Sequence, residues 1–295
     1  MRLNGSFIKS FLPSRPQKSH KGNFGRVLII AGSEKMSGAA VLCARAALKV
    51  GAGIVALALP KNSQCIAAAA LPEMLTLPLS QKEGAISKTA FTKLKNFIQD
   101  FSPSVILIGP GLAQSELIVK FLKTYKIPCV IDADALNAIS QEKKLLSFQH
   151  PCICTPHPKE MERLLKKPVS EDEKQRILCA QELSKKTGAI SVLKGFGTVL
   201  TDGEKIYINP TGGPALAKGG SGDVLAGMLT GLWAQSGTEK GFTRKTALEA
   251  AACAVYLHGL CADLAAKKLT DRCVLAGELL EYLPQAFRRV MRTGK

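Results

Sequence analysis

Aromatic residues are scarce in this sequence: they make up 5% of the 295 residues, with a single tryptophan. That scarcity argues against the aromatic platforms on which single-strand nucleic-acid binders stack bases. Acidic residues are few as well, 23 against 40 Lys and Arg, which leaves a formal charge of +17. Such a charge attracts polyanions, but the cations are scattered through helical stretches and both termini without a long basic run, so no nucleic-acid partner is expected. No apolar stretch is read as a membrane span, and Met1 to His20 is basic, interrupted by Pro13 and Pro16, and lacks an apolar h-region. The expectation is a cytoplasmic protein with no membrane partner. The nine cysteines are odd in number and irregular in spacing. Cys43, Cys129, Cys179, Cys253 and Cys261 lie in apolar or helical stretches and read as reduced core thiols, while Cys152 and Cys154 alternate around Ile153 at strand spacing. No metal cluster is implied. Two nucleotide motifs are also missing. There is no Gly-x4-Gly-Lys-Ser/Thr, and Gly51-Ala52-Gly53 follows a helical stretch and enters a strand, the reverse of the dinucleotide-binding order.

What the chain does have is short apolar runs within a 46% hydrophobic composition. Val27 to Ala31, Ile54 to Leu59, Val105 to Ile108, Cys129 to Ile131, Pro151 to Thr155 and Ile190 to Leu193 read as strands buried on both faces. Helical stretches alternate with them: Gly38 to Val50, Ser87 to Phe101, Ser115 to Tyr125, Pro158 to Leu165 and Glu171 to Thr187. This alternation predicts a mostly parallel sheet with helices on both sides. Thr198 to Leu200 and Lys205 to Ile208 flank an Asp-Gly turn and predict a hairpin. Helices are expected over Gly222 to Gly231, Thr246 to Leu264 and Ala276 to Val290. No linker divides the chain, so residues 1–20 read as a polar lead-in and residues 21–295 as one domain.

Ligands of parallel α/β sheets gather beyond the carboxyl ends of the strands. Polar and glycine-rich segments follow strand after strand here: Gly32-Ser33, Gly109-Pro110-Gly111, Asp132-Ala133-Asp134, Thr155-Pro156-His157-Pro158 and Lys194-Gly195-Phe196-Gly197-Thr198. The strongest local signal is Lys218-Gly219-Gly220-Ser221-Gly222-Asp223. Gly219, Gly220 and Gly222 let backbone N–H groups approach an anion, and the following helix points its positive end at the same place. Asp223, in the first helical turn, is placed to take a proton from a hydroxyl that attacks phosphorus. The competing reading makes Asp223 a helix-start acid and the glycines a tight connection.

In their order along the chain these segments, from about His20 onward, resemble the ADP- or ATP-dependent (S)-NAD(P)H-hydrate dehydratases. The resemblance implies a ribokinase-like three-layer α/β/α fold. It also implies dehydration of the S epimer of hydrated NADH or NADPH (NADHX, NADPHX), with ADP as phosphoryl donor, Mg²⁺ as cofactor, and AMP and phosphate as products. By the family pattern Lys194, Gly195, Phe196, Gly197, Thr198 and Gly222 hold the adenine nucleotide. Ala39, Gly111 and His157 line the hydrate site with Asp223, which is the base, and Gly219 to Gly222 form the anion turn. The metal ligands are left open. The resemblance further implies a homo-oligomer, a homotetramer, and a separate epimerase acting on the same metabolite, because the lead-in is too short for an epimerase domain. The sequence departs from the pattern at Lys159, where glycine is usual and a positive φ is a concern, and at Gly213, where asparagine is common. The alternative is a small-molecule kinase of the same fold, of the hydroxyethylthiazole or hydroxymethylpyrimidine type.

Overall fold

The computed structural model describes residues 1–113 and 115–293. Its elements run α1 (Gly5–Phe11), β1 (Arg26–Ile30), α2 (Ser37–Lys49), β2 (Ile54–Pro60), α3 (Gln64–Ala70), β3 (Leu75–Leu79), the small hairpin β4 (Gln81–Lys82) and β5 (Ala85–Ile86), then α4 (Phe91–Phe101) and β6 (Val105–Ile108). They continue with α5 (Ser115–Thr124), β7 (Cys129–Ile131), α6 (Asp134–Ser140), β8 (Cys152–Cys154), α7 (Pro158–Leu165), α8 (Glu173–Thr187) and β9 (Ile190–Leu193). The antiparallel pair β10 (Val199–Thr201) and β11 (Ile206–Ile208) leads to α9 (Ser221–Lys240), α10 (Arg244–Leu269) and α11 (Leu283–Arg292).

Nine strands form one sheet in the order β11-β10-β9-β8-β7-β6-β1-β2-β3, parallel from β3 to β9. Alternate residues of one strand feed two cores. Val27 and Ile29 pack with α2, α9 and α10, whereas Leu28 and Ile30 pack with α4 to α7 on the opposite face. This period-2 split across a sheet covered on both sides is why β1 and β6 read as unbroken apolar runs. The chain passes from β1 outward to β2 and β3, then returns to place β6 on the other side of β1. The strand order therefore reverses between β1 and β6, which opens a crevice at their carboxyl ends.

Several expectations need correcting. The first residues are not a free polar lead-in: Leu3 and Ile8 are buried, α1 packs on α10 and α11, and Arg2 bridges to Ile208. Local composition hid this because α1 is short and its anchors are widely spaced. β3 and α6 were not foreseen, and α9 runs well past Gly231 to Lys240. Contrary to the hydropathy reading, α10 is long and apolar enough to cross a bilayer. However, 78% of its most apolar 18-residue window is buried inside the fold, which marks a core helix.

The approach of α9 to α2 depends on glycine. A Cβ at Gly227 would lie 2.2 Å from the Cys43 carbonyl oxygen, and one at Gly231 would lie 2.6 Å from that of Ala47. Gly227→Ala is expected to destabilise the fold by about 1–3 kcal/mol through overpacking, read as a lower urea midpoint; an unchanged midpoint would show that the two helices separate freely.

Candidate active site

The ends of β1 and β6 are tied where the crevice opens, by the Gly32 amide donating to the Pro110 carbonyl at 2.8 Å. Gly109 (φ +128) passes so close to the next strand end that a Cβ would lie 1.8 Å from the Asp132 carbonyl oxygen. Gly111 (φ +63) faces α2, where an added Cβ would meet Met36 Cβ at 2.6 Å and Ala39 Cβ at 3.5 Å. The structure thus brings Ala39 and Gly111 together at the crevice, beneath a half-exposed Met36.

At the end of β7, Ala133 holds φ 50° and ψ −118°, a left-handed conformation unusual for alanine. It separates two carboxylates with different partners. Asp132 is buried, accepts from Thr155 Oγ1 at 2.7 Å and pairs with Lys194 Nζ at 2.7 Å. Asp134 starts α6 and accepts from the Ala113 amide at 2.9 Å. After β8, His157 is the N-cap of α7. Its Nδ1 accepts the amides of Lys159 and Glu160, and Glu160 returns a carboxylate oxygen to the His157 amide at 2.8 Å. An accepting Nδ1 places the ring proton on Nε2. Burial and the nearby Lys194 and Arg163 lower the His157 pKa, which keeps the ring neutral. Lys159 sits in ordinary helical backbone and ion-pairs with Glu162, so the concern about a positive φ there falls away. Gly213 is extended with open space around it, room enough for an asparagine.

The glycine-rich turn has the geometry of an anion cradle. Its pivot is Gly220, the N-cap of α9 at φ 91°, which offers no side chain to cap the helix. Among the described residues the amides of Gly219, Gly220, Gly222 and Asp223 meet no protein acceptor. Unsatisfied donors and a positive helix end meet there. The cradle adjoins a cavity of about 560 Å³ lined by His157, Lys194, Gly195, Phe196, Thr198, Ser221 and Gly222, so His157 shares a wall with Lys194. Gly197 turns the chain behind this wall at φ 63°. Phe196 is 92% exposed, an uncovered ring at the cavity rim.

Asp223 follows Gly222, which lines the cavity, and its charge acts on the buried Cys43 thiol of α2, the helix that carries Ala39. Its carboxylate makes no hydrogen bond or ion pair among the described residues. Burial, then the charge of Asp132, raise its pKa to about 6. A carboxylate without partners and with an elevated pKa can serve as a general base near neutral pH.

Reading residues alone did not single out Asp132, Glu160 or His258. Glu160 is buried and lies 3.9 Å from Lys194 Nζ. His258, on α10, lines the cavity with a buried Nε2 that lacks a partner among the described residues, and burial lowers its pKa to about 4. The Asp132-Ala133-Asp134 and His-Pro-Lys-Glu segments carried a signal for the first two; an apolar helix concealed the third.

The family model for NAD(P)H-hydrate dehydratase matches residues 27–285. A bifunctional NAD(P)H-hydrate repair enzyme of Moorella thermoacetica is 39% identical over 98% of this chain and 54% of its own length. The chain spans about half the length of the curated bifunctional relatives it matches. The ADP-dependent (S)-NAD(P)H-hydrate dehydratase of Bacillus subtilis is 35% identical over 96% of both chains. The crystal structure of the ADP/ATP-dependent NAD(P)H-hydrate dehydratase from Bacillus subtilis, co-crystallised with ATP and Mg²⁺, superposes with a TM-score of 0.80 at 32% identity, covering 98% of both chains. A hydroxyethylthiazole kinase structure from Pyrococcus horikoshii shares the fold at a TM-score of 0.54 and 14% identity, over 97% of this chain and 94% of its own.

A Cβ at Gly219 would point into open space beside the free amides. Gly219→Val should weaken ADP binding by about tenfold or more (~1.4 kcal/mol) in calorimetric titration and leave the thermal midpoint unchanged. Unaltered affinity would remove the turn from the site.

Proposed function

The chain belongs to the NAD(P)H-hydrate dehydratase family, and we propose that it dehydrates the S epimer of NADHX and NADPHX at the expense of ADP, as a ribokinase-like hydro-lyase of metabolite repair. One observation carries this reading: a partly buried Asp223, partnerless among the described residues, stands in the first turn of the helix whose N-terminus forms the anion cradle.

The nucleotide occupies the cavity along Lys194, Gly195, Phe196, Thr198 and Gly222, with Gly197 shaping the loop, and its terminal phosphate rests on the free amides from Gly219 to Asp223. The hydrate lies across the Ala39–Gly111 crevice, where small residues admit the puckered ring, with His157 at its edge. Asp223 accepts the hydroxyl proton as the hydroxyl oxygen bonds to the terminal phosphorus; the bridging P–O bond breaks and AMP departs. Hydroxide is a poor leaving group and phosphate a good one. The C–O bond therefore breaks with the electron pair leaving on phosphate, pushed by the ring nitrogen. Loss of a proton from the adjacent carbon then restores the double bond. The sheet's contribution is to hold cradle and base on one rim, so that only the reacting atoms move.

Magnesium fits this site only as part of the nucleotide. Among the described residues no group of three or more His, Cys, Asp or Glu side chains could hold a metal ion, and Asp132 is already engaged by Lys194 and Thr155. Mg²⁺ would arrive on the phosphates, as such ions do when the protein offers no cage. The family reading also implies a homotetramer, a cytoplasmic setting, a single domain, and an epimerase activity that supplies the S epimer.

The test is to incubate the protein with ADP, magnesium and NADH hydrate and to follow the absorbance of recovered NADH. Recovery that does not depend on nucleotide would sink the proposal, and accumulation of a stable phosphoester would move it to the kinase reading. Asp223→Asn is expected to lower kcat by about 10²–10⁴-fold with ADP affinity nearly intact. The base must be ionised to act. In the wild type kcat/KM should therefore fall as pH drops through the Asp223 pKa of about 6 and level off above it.

A further inference from the structure

Lys194 was assigned above to the nucleotide, yet its charged end is turned inward. Its amide donates to the Pro156 carbonyl at 2.8 Å, which fixes the end of β9 against the loop after β8. Its Nζ lies 2.7 Å from Asp132 and 3.9 Å from Glu160, and only 18% of the side chain is exposed. A Cβ placed on Gly222 would be 3.5 Å from that ammonium, so the cation rests against the backbone immediately before Asp223. Arg176 secures the same corner by donating to the carbonyls of Leu193 and Lys194.

We propose that Lys194 and Asp132 form a positioning pair that sets the protonation range of Asp223, the pair's two charges acting on the base in opposite senses. This inference rests on the assignment of Asp223 as base. Asp132 contributes an uncompensated share of negative charge because its partner is shared: Lys194 also faces Glu160 and Asp223. A buried anion near a carboxylate disfavours its ionisation, and a buried cation favours it. The groups facing Asp223 are Asp132 from the end of β7, Asp134 from α6, Lys194 from the end of β9, and the Cys43 thiol of α2. Burial raises the Cys43 pKa, so that thiol stays uncharged. Asp134 adds negative charge but is anchored on the Ala113 amide. Asp132 raises and Lys194 lowers the Asp223 pKa, with Asp132 the larger of the two charge effects after burial itself. The pair's function is thus a base weak enough to release its proton in the next turnover and ionised enough to accept one at neutral pH.

The experiment compares Asp132→Asn with the double variant Asp132→Asn/Lys194→Met. The first removes the anion and leaves the cation, so Asp223 should ionise more readily. The acid limb of kcat/KM should move down by about one to two pH units. The second removes both charges and should bring the limb back up toward the wild-type position. A merely structural pair would lower kcat in both variants without opposite movements of the limb. The same titrations are read on the Asp223 carboxylate carbon by NMR in the full chain. If the wild type repairs no hydrate, the proposed function fails while the carboxylate titration still decides this inference. An Asp223 titration that stays fixed in Asp132→Asn, or that lies no higher in the double variant than in Asp132→Asn, overturns it. Circular dichroism and thermal midpoints confirm folding, and Lys194→Arg, which keeps the charge, should hold the limb near its wild-type position if a variant does not fold.

Discussion

Gly227 and Gly231 bring the backbone of α9 against the carbonyls of Cys43 and Ala47 on α2, closer than any side chain permits. The placement of the active site depends on that approach. α2 leaves the crevice at β1 and carries Ala39 at its start, while α9 begins at the anion cradle and carries Gly222 and Asp223 in its first turn. Pressing the two helices together fixes the helix of the proposed base against the helix that carries Ala39. A larger residue at either glycine would separate the helices and with them the proposed hydrate and nucleotide halves of the site. Packing density in the core thus becomes catalytic geometry at the rim.

Four carboxylates gather on that rim, and their surroundings divide their roles. Asp132 is occupied by Thr155 and Lys194, Asp134 by the Ala113 amide, and Glu160 by the His157 amide. Among the described residues Asp223 alone of the four acids has no such partner. A proton acceptor needs free lone pairs at the moment of reaction, and the hydrogen-bonded acids have theirs committed. The assignment of the base follows from this distribution as much as from sequence position. Burial of Glu160 raises its pKa too, but its contacts tie it to the α7 cap.

Much of this was legible in the chain. Buried parallel strands announce themselves as apolar runs, so β1, β6, β7 and β9 were placed within a residue or so, and the strand-end segments fell on one rim as the topology requires. The cradle was legible because positive φ and a capless helix start call for glycine at Gly220. What stayed hidden was long-range. Only the tertiary fold shows that Lys194 reaches Asp132, 62 residues away, or that His258 on an apolar helix looks into the cavity. Leu3 and Ile8 escaped for the same reason, since isolated apolar residues give no periodicity until the surface they dock against is known. Lys159 misled in the other direction. A family position usually filled by glycine suggested strain, but here it is the second residue of α7, where any L-residue fits.

The charge of the whole chain and the charge of the site act over different distances. A net +17 draws anionic nucleotides and dinucleotides toward the surface, an effect that salt screens beyond about 10 Å. At the rim the balance reverses, because Asp132, Glu160 and Asp223 face Lys194 and Asp134 adds its charge near Asp223. A phosphate approaching that cluster would be repelled if charge alone decided the matter. The free amides of the turn change the outcome: they supply positive dipoles that carry no counter-ion and do not titrate. Backbone donors can therefore bind an anion beside a base that must itself stay anionic, which a ring of lysines could not do without neutralising that base. The glycine turn and the acidic rim are for this reason one design, and neither would serve phosphoryl transfer to a hydroxyl without the other.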